Sequence, residues 1–580
     1  MKKDFFCECL MILQLQKISF FLCVAKLREK EKSIFSRIEK KRHKKYCFFM
    51  KQAEKKQKSL LSSGISLSLL TLLSRILGLV REQTKAIFLG TSAYADAFAF
   101  AFMIPNLCRR LFAENAVSVA FIPTFKKYLD SADTDEGKAQ ARDFVRAMFT
   151  VVSFLTSVVV IVGMIATPLI VRILYKSADK ALLAETSYLT RIMFPYLVVI
   201  SIAALFQGIL NALKIFSPSG FTPILFNSIV ILSTYILAPH TANPARAMSI
   251  GVLLGGIVQA LFQLPFVLKQ GWFCGVSGIK AAFKNEGVKK VVSLIVPTLI
   301  GMAAYQLNDL VSSALAGRAG TGVLSSIQYS LRLQELILGV FAVSIGTIIL
   351  PDLAGLAKKE SWDEFSKMLS TAIKIIALIT IPISFYSFLT GRNIISLVYK
   401  SRRFDAQSVS LTLEAFRFHI VGLFFIAANR IIAPAFYAQG NTKSPTLAGI
   451  FGFASNILIA LSLVNSMRGG GIALALSLAS FVNTIFLFVF LRKSRDIDVG
   501  AVVRSTVLYA VKMCALSALA SLPLIFFGSK IAAIFHSGNR LIDDGGYLAI
   551  TALIFGAIGI ASLFATKDPI LKMIVKKVKR

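Results

Sequence analysis

Two arginines and a glutamate interrupt a long apolar stretch in the segment "LSRILGLVREQ" over residues 73–83. A lipid-facing helix has no use for Arg75, Arg81 and Glu82, because a charge at the bilayer centre costs roughly 3 kcal/mol on insertion scales. The next apolar stretch adds Asp96, Asn106, Arg109, Arg110 and Glu114, and the eighth adds Arg332 and Glu335. Later stretches hold only scattered charges such as Lys374 and Arg430. At about 100° per residue, Arg75 and Glu82 share one stripe two turns apart, Gly78 between them leaves room for a neighbouring helix, and Arg81 points to the flank. Asn106 and Arg110 share a face one turn apart, with Glu114 a further turn on as a partner for Arg110. Arginine dominates the set, and its planar fork suits phosphate: it donates paired hydrogen bonds and never loses its charge. An anionic ligand is implied, held in a polar cavity between helices.

Other chemistry has little support. Cys7, Cys9, Cys23 and Cys47 lie before the apolar region, and no disulfide or metal-ligand spacing appears. "DSADTDEG" at 130–137 is the one dense acidic cluster and reads as a solvated loop. Asp309, with Asn456 and Asn483, forms a candidate cation site, and no metal is expected. No GxxxxGK[ST] phosphate loop occurs, so no cofactor is expected, and a coupling ion (Na+ or H+) or the membrane potential would drive any transport.

The elements that position these residues are membrane helices. The chain has 580 residues, 56% hydrophobic and only 16% charged, with mean hydropathy +0.70, too apolar for a soluble domain. Apolar runs recur with about the length that spans a hydrocarbon core, and they are continuous where barrel strands would alternate. They predict an all-α polytopic membrane protein with about fourteen spans, near 60–89, 94–128, 145–171, 187–213, 219–238, 247–268, 291–316, 324–350, 367–390, 411–437, 445–464, 470–491, 503–527 and 546–565. The formal net charge of +35 would suggest nucleic acid in a soluble protein. Here Lys and Arg gather in alternate loops, about 24 on one side against about 12 on the other, which places both termini in the cytoplasm and leaves no role for nucleic acid.

"AVSVAFIP" at 116–123 resembles "AVSIGTIILP" at 342–351, and "NALKIFSPSGFTP" at 211–223 resembles "PAFYAQGNTKSP" at 434–445. The near-equal offsets predict two pseudo-repeated six-helix lobes plus two extra C-terminal helices. The expected organisation is a basic extension over 1–58, with translation expected to begin at Met50, an N-lobe over 59–268, and a cytoplasmic amphipathic linker over 269–290. A C-lobe over 291–492, two further helices over 493–566 and a basic tail over 567–580 complete it.

"SRILGLVRE" followed by "ADAFAFAFMIPNLCRRLFAENAVSVAFIP" resembles the opening of the MviN/MurJ lipid II flippases, of the multidrug/oligosaccharidyl-lipid/polysaccharide exporter superfamily. "GTIILPDLA" at 346–354 and "FYAQGNTKSP" at 436–445 extend the likeness. The resemblance implies a V-shaped cationic cavity between two lobes and a lipid-tail groove made by the last two helices. The family's cavity positions fall on Arg75, Arg81, Asp96, Arg109 and Arg332. Glu82 stands where Asp is commoner, and "QYSLR" departs from a Tyr-Ala-Asp-Arg pattern before Arg332.

The function that follows as an expectation is translocation of lipid II, the undecaprenyl-pyrophosphate-linked disaccharide-pentapeptide, from the cytoplasmic to the periplasmic leaflet of the inner membrane by alternating access. The protein is then a transporter with no catalytic residues. Arg75, Arg81, Arg109 and Arg332 would hold the pyrophosphate, with Glu82, Asp96, Asn106, Arg110 and Glu114 supporting. Lipid II and membrane lipids are the expected partners, with peptidoglycan-synthesis or division proteins beside them, and the chain is expected to be a monomer. The alternatives are a multidrug or metabolite antiporter of the same superfamily, disfavoured by the sign of the charges, and a non-transporting scaffold of cell-envelope assembly.

Overall fold

A computed structural model describes residues 69–110, 120–175, 179–272, 275–493 and 497–578. The chain divides into two units, residues 1–69 and 70–580. The basic extension over 1–58 and Met50 therefore lie outside the described residues, as does Glu114.

All regular structure among the described residues is helical. The first half comprises α1 (69–89), α2 (Ala93–Cys108), α3 (Ile122–Asp130), α4 (Asp135–Leu174), α5 (Lys180–Met193), α6 (Tyr196–Ala212), α7 (Ser217–Leu237) and α8 (Pro244–Lys269). After the short α9 (Ile279–Lys284), the second half runs through α10 (Glu286–Arg318), α11 (Val323–Lys358), α12 (Trp362–Tyr399), α13 (Ala406–Val421), α14 (Leu423–Ala438) and α15 (Lys443–Arg492). Then come α16 (Val499–Ile534), α17 (Arg540–Ala565) and α18 (Pro569–Val578).

The described part of each expected span falls on one or two of these helices. By length and hydropathy, however, only eight described helices pass as membrane spans, or nine if α13 and α14, bent by 44°, count as one. Arg75, Arg81, Glu82 and Lys85 interrupt the described part of α1, and α2 has only 16 residues, so neither enters that count. The two spans expected over 445–464 and 470–491 both fall in α15, which is two helices meeting at a kink where Arg468 takes φ 42°. Three glycines follow that break, all buried, and the first is packed close to Val323 at the start of α11. The amphipathic linker is also shorter than 269–290: its helix is the six residues of α9, and α10 begins at Glu286.

Polar ties hold the apolar helices in register. Arg246 of α8 forks onto Glu185 of α5 at 2.8 and 2.6 Å, and Asn243 adds a third bond at 2.9 Å. In the second half, Asp544 of α17 accepts from Asn393 and Ser396 of α12. The buried Asp568 caps α18 through the Ile570 and Leu571 amides and pairs with Lys512 of α16 at 2.6 Å.

An apolar groove of about 870 Å³ runs between α12, the α13/α14 bend, α15 and α16, lined by Ile381, Phe385, Phe388, Phe424, Val507 and Val511 among others. Of the last two helices, where a lipid-tail groove is expected, only α16 lines this apolar groove; α17 is packed against α12 by the Asp544 contacts and by the Tyr386 hydroxyl donating to the Leu548 carbonyl.

Gly422 sits at the bend, and a Cβ there would lie 2.6 Å from Cβ and 2.7 Å from Cα of Ser477. Backbone cannot yield as a side-chain tip can, so Gly422→Val is expected to cost about 1–3 kcal/mol. Thermal unfolding of the purified protein checks this, and an unchanged midpoint would contradict the packing at the bend.

Candidate functional site

The charged residues of α1, α2, α10 and α11 line the seam between the two halves. Gly78 of α1 faces Arg332 of α11, whose guanidinium occupies the place a Cβ would take. The reciprocal arrangement occurs further along: Gly339 of α11 faces Arg75 of α1, again with the guanidinium where a Cβ would stand. Each helix thus offers a glycine to the other's arginine, so two large cations fit between closely packed backbones. Arg332 also donates to Glu335 one turn away at 3.3 Å.

Arg81 points to the flank. Its guanidinium donates to Glu82 at 2.8 Å and to Asn227 of α7 at 3.2 Å, and it lies over the Phe226 ring. The second Glu82 oxygen takes Lys85 at 3.1 Å. On α2, the Asn106 carbonyl oxygen accepts from Nε and Nη2 of Arg109 at 3.1 and 2.9 Å, so Asn106 serves Arg109 and not Arg110. Arg110 reaches across the seam to Asp309 of α10 at 3.2 Å.

That last contact changes the candidate cation site. Asp309 already neutralises an arginine, while Asn456 donates to Asn308 and Ser312. Asn308 and Asp309 are neighbours on one helix and point about 100° apart. Asn483 lies beside Gly452 within α15. No group of three metal-ligating side chains occurs among the described residues.

Asp96, expected beside the arginines, is instead buried at one end of the seam. Its two oxygens accept from the backbone amides of Gly322 at 2.6 Å and Ser325 at 2.8 Å, capping the N-terminus of α11. A carboxylate here answers both the unpaired amides and the positive end of the helix dipole. Asp96 and Gly322 are 226 residues apart, the offset of the first sequence repeat, and repeat-related positions can touch only near a pseudo-two-fold axis. Neighbouring contacts complete the closure: the Tyr329 hydroxyl donates to the Gly90 carbonyl, Thr91 meets Ser408 at 2.8 Å, and Arg403 donates to the Phe88 carbonyl.

Exposure then falls along the seam. Side chains are 55% exposed at Glu335, 51% at Asp309 and 37% at Arg110; the values are 32% at Arg332, 19% at Arg81, 14% at Glu82 and 4% at Lys85. The seam is a funnel, open at the end of Arg110 and Glu335 and shut at the end of Asp96. Sequence reasoning missed Asn227, Gln328 and Lys85. The first two are lone amides in apolar helices, a readable signal; Lys85 lies close to the end of its apolar run, where a lysine is expected to reach water.

A helical bundle with a cation-lined seam, open at one end and latched at the other, has the architecture of an alternating-access membrane transporter. The family model described as "Lipid II flippase MurJ" matches residues 85–537. The probable lipid II flippase MurJ of Treponema pallidum (strain Nichols) is 45% identical over 516 residues, covering 89% of this chain and 97% of that protein. The probable lipid II flippase MurJ of Vibrio cholerae is 34% identical over 445 residues, covering 74% of this chain and 82% of its own. The chain belongs to the MurJ lipid II flippase family. In fold it is similar to a lipid II flippase MurJ in an inward closed conformation, with TM-score 0.71, 23% identity and coverage of 89% of this chain and 100% of the other. It also resembles an inward-facing MATE multidrug resistance transporter, with TM-score 0.61, 15% identity and coverage of 74% and 96%.

Hydrogen bonds to a charged group contribute about 1.5–3 kcal/mol each. Asp96→Ala removes two and is expected to lower the thermal midpoint clearly, with Asp96→Asn intermediate because it keeps one acceptor. Equal midpoints for all three proteins would contradict the capping role.

Proposed function

We propose that this protein is a lipid II flippase that carries the pyrophosphate-linked precursor through the inter-lobe funnel. The observation that carries the reading is the pair of guanidinium groups, Arg75 and Arg332, seated on the glycines of opposite helices. Placed there, both stay in the seam, and a pyrophosphate entering the funnel meets fixed cations from both lobes. Arg81 and Arg109 extend the cationic wall. Glu82 and Asn106 hold those two side chains in place, which limits the reorganisation that binding would require.

The positive-inside rule turns the open end toward the cytoplasm and the latched end toward the periplasm, with both termini inside. Entry is then from the inner leaflet, and release follows separation of Asp96 from α11. The head group passes through the funnel while the undecaprenyl chain stays in lipid, sheltered by the apolar groove against α16. Net movement needs an energy source, and an ion gradient or the membrane potential supplies it. The potential acts directly on charges that move across it, by about 2.3 kcal/mol per charge per 100 mV. Antiport of organic cations fits this funnel poorly, since its deep walls present guanidinium groups where such a ligand needs carboxylates and aromatic faces.

In vesicles carrying labelled lipid II, Arg75→Ala and Arg332→Ala are each expected to slow leaflet exchange at least about tenfold, a loss on the scale of one charged hydrogen bond. Gly339→Ala should slow it less, by displacing the Arg75 tip. Exchange as slow as in protein-free vesicles for the unsubstituted protein, or unchanged in both folded arginine variants, would end this reading. The groove gives a separate test: Ala510→Trp fills it and should slow an undecaprenyl substrate more than a short-chain analogue. Equal slowing of both would remove the groove from the path.

A further inference from the structure

Lys85 is the most deeply buried cation of the seam and is not among the residues expected to bind substrate. Its ammonium has three partners: Glu82 Oε2 at 3.1 Å on its own helix, the Gln328 side-chain oxygen at 3.1 Å on α11, and the face of Tyr329, 4.4 Å from the ring centroid. A lysine has three N–H donors, so this environment satisfies all of them. Two of the three partners belong to the other lobe. Tyr329 is itself part of the closure, through its bond to the Gly90 carbonyl.

We propose that Lys85 is a positioning residue that couples the binding wall to the latched end of the funnel. Closed, it saturates the second oxygen of Glu82 and so fixes the acid that holds Arg81. When α1 and α11 part, Lys85 loses Gln328 and Tyr329 together, its ammonium enters water, and Glu82 loses a fixed partner at the same moment. Opening and loosening of the Arg81 site are then one event, which releases a bound anion on the side that has opened. The inference rests on the flippase reading for its purpose, while the coupling itself requires no substrate.

The sign for a substitution follows from the groups left behind. Replacing Lys85 by methionine strands a carboxylate oxygen and the Gln328 oxygen without a donor in the closed form only, because water reaches both once the lobes separate. Removing both members of the Lys85–Gln328 contact strands less than the two single changes together suggest.

The test is a distance measurement on the full chain in lipid nanodiscs, in a background with its native cysteines replaced. Spin labels go on Tyr94→Cys and Gln407→Cys, both exposed at the latched end and on opposite lobes. Lys85→Met is expected to raise the long-distance population at least threefold over the parent, Lys85→Arg to raise it less, and Gln328→Leu to raise it comparably to Lys85→Met. The double variant Lys85→Met/Gln328→Leu should rise less than the product of the singles. Lys85→Gln stands in where the methionine variant does not fold. An unchanged long-distance population in folded Lys85→Met or Lys85→Gln, or singles that multiply independently, overturns the proposal. Because the readout needs no lipid II, its failure is distinct from failure of leaflet exchange.

Discussion

Everything in this molecule turns on keeping cations between two helices where there is little water to solvate them. An ion moved into such a medium loses several kcal/mol of solvation, and only close partners or an anionic ligand restore it. The seam meets that constraint in two ways. Arg81, Lys85 and Arg110 have carboxylates within 3.2 Å. Arg75 and Arg332 are also placed by shape, each against a glycine of the facing helix, and Arg332 shares one donor with Glu335 at 3.3 Å. Seating by shape leaves the remaining donors of both guanidinium groups at the seam.

The same constraint explains the asymmetry of the bundle. Where the lobes part, Asp309 and Glu335 are half exposed and water shares the solvation; where they meet, polar atoms need partners from the protein itself. Asp96 is the clearest case, with one carboxylate satisfying two amides at the start of α11. That latch consists of few groups on short segments of α1, α2, α11 and the loop before α13. It can therefore be exchanged for water as a unit, as an alternating-access cycle demands, without unfolding either lobe.

Much of this was legible in the sequence. Charges in apolar runs located the seam, and Gly78 marked a close approach. What stayed hidden depended on partners from distant parts of the chain. Asp96 looked like an arginine partner because the donors it accepts from are backbone amides, which leave no mark in a residue list. Arg110 bonds Asp309, 199 residues away, a partner that no local spacing announces. The set of helices around the apolar groove was hidden for the same reason: hydropathy finds apolar segments but does not say which neighbours they meet.

The central claim is that the funnel recognises a pyrophosphate joined to a long isoprenoid. Native mass spectrometry of the purified full chain, titrated with lipid II and with a neutral undecaprenyl lipid of equal length, measures that recognition directly. The account requires lipid II to bind at least about tenfold more tightly, the equivalent of about 1.4 kcal/mol, and Arg75→Ala/Arg332→Ala to remove the difference. Equal affinity for the two lipids, or a preference untouched by loss of both arginines, would contradict it.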